Sequence, residues 1–116
     1  MEQTTAISRD VAIEVTPEGD ERILRVSGAC GAKCAAMLAA EIQKLVRSGA
    51  KRLSLDLSQA DYVETPVLRV ILDWARELAS FSDASLSVKR LSPGARRTFD
   101  LLKLDWLLSD EAKKLN

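Results

Sequence analysis

The sequence predicts a single α/β domain: one layer of mixed β-sheet, about four to five strands, packed with roughly three to four α-helices. Three observations predict it. The chain opens with two strand-like runs joined by a short Pro/Gly turn. After that pair, strand-like runs alternate with helical ones, the order that builds parallel strand pairs through right-handed crossovers. The length of 116 residues, with 47% apolar and 29% charged residues, suits one core of ordinary globular balance. Only 4% of residues are aromatic, so that core rests on Leu, Val, Ile and Ala.

Residues 1–10 are polar and without period, and they read as a mobile N-terminal arm. The single domain is expected over 11–116. Val11-Ala12-Ile13-Glu14-Val15 alternates apolar and polar residues, the mark of a strand. Pro17-Glu18-Gly19-Asp20 is a turn, and Arg22-Ile23-Leu24-Arg25-Val26 completes a hairpin. Gly28 and Gly31 bracket a loop. Cys34, Leu38, Ile42 and Leu45 then recur at helical spacing, with Glu41, Lys44 and Arg47 on the other side. Gly49 ends this helix in the left-handed position after its C-terminus. Arg52 to Leu57 alternates strictly and predicts a strand with Leu53, Leu55 and Leu57 inward. Ser58 to Asp61 reads as a loop.

Thr65 and Pro66 form the clearest helix start in the chain, with Thr65 as N-cap and Pro66 at the first helical position. Val67, Val70, Ile71, Trp74, Ala75 and Leu78 follow at helical spacing, and Leu68 and Leu72 widen the apolar face. Leu86 and Val88 mark another strand. Ser92-Pro93 repeats the cap-then-proline start of a helix that carries Phe99 and Leu102. Leu104 to Leu108 reads as a short final strand, and Ser109 as the cap of a last helical turn through Leu115.

Composition excludes several functions. Acidic and basic residues balance, 17 against 17, and they balance in each half of the chain as well. No basic face points to nucleic acid. Near-zero net charge does little to oppose association, so a protein partner or a homodimer is expected. No apolar run is long enough to enter a membrane directly, and the first residues carry neither the basic start nor the apolar run of a signal peptide. A cytoplasmic location follows, with Cys30 and Cys34 as reduced, buried thiols. Two sulfurs without a further ligand make no zinc site, and no metal or cofactor is expected. The chain has no histidine. Ser-His and Cys-His nucleophile pairs and imidazole proton shuttles are therefore absent. With no paired carboxylates at a catalytic spacing, the chain reads as a non-enzyme. The basic pairs Lys89-Arg90 and Arg96-Arg97 read as solvated surface, and Gly28-Ala29-Cys30-Gly31 lacks the lysine and spacing of a phosphate loop.

The informative segment runs from Leu53 to Leu72: strand, short connection, helix start. Asp56, Asp61 and Glu64 lie close in sequence to the hydroxyl of Thr65. This segment resembles the central signature of STAS domains, the fold of bacterial anti-sigma-factor antagonists. The family pattern is an apolar strand ending in Asp-Leu-Ser, a short connection, then Asp-Ser-Ser-Gly-Leu opening a helix. Asp56-Leu57-Ser58 matches the first part, and Glu64-Thr65-Pro66-Val67-Leu68 falls on the second. The resemblance runs from about Val11 to Leu108 and includes Val26-Ser27-Gly28 and the stretch from Arg97 to Leu104.

The resemblance implies a regulatory module that binds an anti-sigma factor with serine/threonine kinase character, or another STAS-binding protein. It implies an interface at Asp61, Glu64, Thr65, Pro66, Val67 and Arg69, with Asp56 and Ser58 supporting it. It makes Thr65 the phosphorylation candidate, where the family's first serine is phosphorylated by the partner. Proline and valine stand where the family has serine and glycine, so an N–H is lost and an open space filled. Other STAS domains are never phosphorylated and serve as scaffolds or as soluble subunits of transport systems, which is the alternative reading.

Overall fold

The computed structural model describes residues 4–7 and 10–109. The elements in chain order are β1 (Thr4–Ile7), β2 (Val11–Glu18), β3 (Glu21–Cys30), α1 (Ala32–Arg47), β4 (Arg52–Val63), α2 (Thr65–Ala79), β5 (Ser85–Leu91), α3 (Pro93–Leu101) and a 3₁₀ turn at Asp105–Leu107. The strands form one sheet in sequence order. β1, β2 and β3 pair antiparallel, and β3, β4 and β5 pair parallel. This is the mixed sheet the sequence predicts, and its parallel half is connected by α1 and α2 because parallel neighbours need a crossover.

Alternation decides which face of the sheet is buried. Val11, Ile13 and Val15 of β2, Leu24 and Val26 of β3, Leu53, Leu55 and Leu57 of β4, and Leu86 and Val88 of β5 all enter one core. From α1 come Cys34, Ala35, Leu38 and Ile42, and from α2 Val67, Leu68, Ile71, Ala75 and Leu78. Phe99 of α3 closes the core. Most of the intervening strand residues are polar, among them Glu14, Thr16, Arg25, Ser54 and Asp56.

The helix ends follow their local chemistry. Gly49 takes φ +98 just after α1, and its N–H and that of Ala50 donate to the carbonyls of Val46 and Leu45, both at 3.0 Å. This is the paired capping bond that glycine's tolerance of positive φ allows. Ser92 caps α3: its Oγ accepts from the N–H of Ala95 at 3.1 Å, with Pro93 next. Ser92→Ala should lower stability by about 1 kcal/mol in a denaturant titration, the usual worth of such a cap. A change indistinguishable from zero would mean that packing alone holds this end.

Four elements differ from the sequence reading, besides the start of α2 described below. Thr4–Ile7, placed in a mobile arm, instead pairs antiparallel with β2, and Ala6 packs against the core. An outer strand satisfies the open N–H and C=O groups of β2, and backbone pairing needs no strong side-chain pattern. The rest of the arm lies outside the described residues, Asp10 aside. β3 continues through the expected Gly28–Gly31 loop as far as Cys30. There Gly28 adopts φ +94, and a Cβ at that position would stand 2.2 Å from the carbonyl oxygen of Asp10. β4 does not end at Leu57 but runs to Val63, with register shifts against both neighbours. The expected last strand is the 3₁₀ turn and a single parallel bridge between Leu108 and Val88. The helical turn expected through Leu115 lies outside the described residues.

Candidate functional site

The site builds outward from the end of β4. Bulges change the strand's spacing, so that Leu57, Ala60 and Val63 are buried at intervals of three while Asp61 and Tyr62 face outward. The backbone then turns directly into α2. Glu64 is extended (φ −96°, ψ 166°) and is the N-cap, so Thr65 and Pro66 are the first two helical residues. The sequence reading put the cap one residue later. Glutamate is a poor side-chain cap, and here its carboxylate makes no capping bond; its carbonyl does the work, accepting from Val67 N–H at 3.0 Å and Leu68 N–H at 3.2 Å.

Glu64 also ties α2 to the start of α1. Its N–H donates to the Cys30 carbonyl at 3.0 Å. Its carboxylate lies against Gly31, the N-cap of α1, where an added Cβ would stand 3.0 Å from Oε1. An acidic group beside a helix N-terminus is favourable.

Asp61, Glu64, Thr65, Pro66 and Arg69 are exposed and share this corner of the molecule. Val67 is a correction. It is fully buried and belongs to the core, not to the surface. Position 67 lies one and two turns before Ile71 and Ala75 on the inward face of α2, and that spacing decides its burial. Asp56 and Ser58 do not support the corner either. Asp56 lies on the polar face of the sheet, with its side chain only 3% exposed beside Arg25 and Arg90 at 3.4 and 3.7 Å. It accepts from the N–H and Oγ of Ser58 at 2.9 and 2.6 Å. Burial pushes its pKa up, but the Ser58 bonds and the two guanidinium groups outweigh this and hold it below the usual value. None of these recorded partners belongs to the first turn of α2.

The structure adds a groove that local sequence could not reveal. Thr65, Leu68, Arg69, Leu72, Asp73 and Arg76 of α2 face Leu102 and Leu104, enclosing about 500 Å³. Leu101, Leu102 and Trp106 are all more than half exposed. Of these, Leu102 lines the groove. The basic pair at 89–90 is neutralised instead: Lys89 bonds Glu18 at 3.2 Å and Arg90 lies by Asp56. Among the described residues no cluster of His, Cys, Asp and Glu could hold a metal ion. No helix among them is long and apolar enough to cross a membrane.

A family model described as "Mlab, STAS domain" matches residues 13–109. The chain belongs to the STAS family. Solved structures share its fold. An anti-sigma factor antagonist from Mycobacterium paratuberculosis superposes with a TM-score of 0.74 at 21% identity, covering 84% of this chain and 82% of that one. The anti-sigma factor antagonist SpoIIAA in its unphosphorylated form gives 0.72 at 15% identity, covering 84% and 85%. At these identities the likeness concerns the fold. No curated protein is similar enough to match. As a STAS domain, the chain carries Glu64-Thr65-Pro66 at the helix start that the sequence aligned with the family signature, and that start is exposed.

Proposed function

We propose that this STAS domain is a non-enzymatic, cytoplasmic regulatory module. It docks an anti-sigma factor of the serine/threonine kinase-like type through the first turn of α2 and the adjoining groove. The observation that carries this reading is the exposed Thr65 at the mouth of an apolar groove. Thr65, Arg69, Asp73 and Arg76 supply a polar rim, and Leu68, Leu72, Leu102 and Leu104 an apolar floor. A rim of that kind around an apolar centre is the usual anatomy of a protein interface.

Phosphorylation of Thr65 would add roughly −1.5 to −2 charges beside Glu64 and weaken the docking of an acidic partner surface. A specific observation favours a second reading, a docking subunit or scaffold that is never phosphorylated. Pro66 has no N–H, and the N–H groups of Glu64, Val67 and Leu68 are already bonded. A phosphate on Thr65 would find little of the donor cradle that a helix start normally offers.

One experiment separates the readings. Tagged protein is recovered from its native cells and the intact bait is weighed. A kinase-like partner together with an added ~80 Da on Thr65, the mass of one phosphate group, is the expected result for the switch. An unmodified bait that carries transport-system subunits selects the docking subunit. Recovery of the same partner by a Thr65→Arg protein, undiminished, would remove this surface from both.

A further inference from the structure

The end of β3 and the first turn of α1 bring together the chain's two cysteines. Cys30 is the last residue of β3, and Cys34 lies within the first turn after the N-cap Gly31. Both side chains are fully buried, and their Sγ atoms stand 3.1 Å apart. That is inside the roughly 3.5–4.0 Å at which even carbon atoms make their best nonbonded contact. A disulfide bond of about 2.05 Å needs the sulfurs to approach by only about 1 Å. We propose that Cys30 and Cys34 form a redox-active dithiol that closes into an intramolecular disulfide by exchange with a low-molecular-weight disulfide.

The chemistry balances in two steps. The Cys34 thiolate attacks one sulfur of the small disulfide; a Cys34–S–S–R bond forms and one R–S⁻ leaves. The Cys30 thiolate then attacks Cys34 Sγ; the Cys30–Cys34 bond forms and the second R–S⁻ leaves. The protein gives up two electrons and two protons, and the oxidant becomes two thiols. The order follows from the local electrostatics. The hydrogen bond shared by the pair lowers the pKa of Cys34 against the opposing effect of burial, and the same bond, then burial, raises that of Cys30. Once Cys34 is in the mixed disulfide, its hold on the Cys30 proton is gone.

Access comes through the end of the helix. Both thiols are buried and Gly31 makes no side-chain capping bond, so exchange at Cys34 proceeds through local opening of the first turn of α1. The dithiol also touches the candidate site, because the Cys30 carbonyl accepts the Glu64 N–H and the Glu64 carboxylate lies against Gly31. Closing the disulfide pulls on both residues.

The test uses the full chain in a series of reduced and oxidised glutathione mixtures, denatured and alkylated before intact-mass analysis. The expected product is lighter by two hydrogens, escapes alkylation at both cysteines, yields one peptide linking Cys30 to Cys34 and reverts with reductant. The amide resonances of Gly31 and Glu64 should shift with the same midpoint. A Cys30→Ser protein should stop at glutathione held on Cys34. Full alkylation of both thiols across the series would overturn the proposal, as would wild-type protein that collects stable glutathione adducts or intermolecular dimers. None of these readings involves the docking partner, so they stand or fall apart from the proposed function.

Discussion

Leu102→Lys should weaken docking of the partner by at least about 30-fold, equivalent to about 2 kcal/mol at an interface centre, while leaving the fold intact. Leu102 forms one wall of the groove beside Thr65 and is 54% exposed. Its side chain therefore contributes little to the free domain. Exposed substitutions of this sort usually alter stability by no more than about 0.5 kcal/mol. It is also the C-cap of α3, where a cation meets the negative end of the helix dipole. Lysine is thus compatible with the local backbone and incompatible with a desolvated apolar contact. A control change, Asp20→Lys in the β2–β3 turn, alters charge in the same direction and by more, near the start of β4, the opposite end of that strand from α2. It should leave affinity unchanged. Isothermal titration of both variants beside the wild type gives the answer. Equal affinity for Leu102→Lys and wild type would move the interface away from the groove.

The parts of this fold legible from sequence are those where a local period survives. The inward Leu53, Leu55 and Leu57 announce β4 because every second residue is apolar, and Ser92-Pro93 announces α3 because its capping chemistry is complete within four residues. Beyond Leu57 the period fails. Leu57, Ala60 and Val63 are buried at intervals of three, since bulges insert extra residues of β4 into its pairing with β3, and a strand without alternation looks like a loop. The start of α2 was displaced for a related reason. Thr65 is the better side-chain cap, so propensity selects it, yet the anchoring of Glu64 to Cys30 and Gly31 decides where the turn begins. The one-residue offset leaves the helical phase untouched, because the apolar spacing sets it, and Val67 lies on the inward face with Ile71, Ala75 and Leu78. Its adjacency to Thr65 in the family signature assigned Val67 to the surface, and its helical spacing assigned it to the core, where it lies. The groove had no local signal at all. Leu102 and Leu104 follow α2 by more than twenty residues, and only the docking of α3 brings them to Thr65.

Asp56 has a different part from the one its sequence neighbourhood suggested, and its replacement should have the largest effect on stability. The family signature attached it to the helix start, but its bonds hold the polar face of the sheet together. Asp56→Ala removes the acceptor of two bonds from Ser58 and leaves Arg25 and Arg90 facing each other without their shared anion. Hydrogen bonds to a charged group are worth about 1.5–3 kcal/mol each, and half-exposed arginines recover part of the loss from water, so a net cost of about 2–3 kcal/mol is expected. For a domain of this size that lowers the melting temperature by roughly 10 °C. The pH dependence distinguishes lost charge from lost packing. The folded-state pKa of Asp56 is depressed below its unfolded value. Its stabilisation is therefore fully present above the unfolded pKa, near 3.9, and declines as pH falls through the lower folded value. The gap between wild type and Asp56→Ala should be widest near neutrality and should narrow below about pH 4, where the unfolded chain first takes up the proton and the native carboxylate follows. Paired urea titrations at neutral and acid pH measure that gap. A gap that stays constant with pH would mean that the carboxylate fills space on the sheet and that its charge contributes nothing.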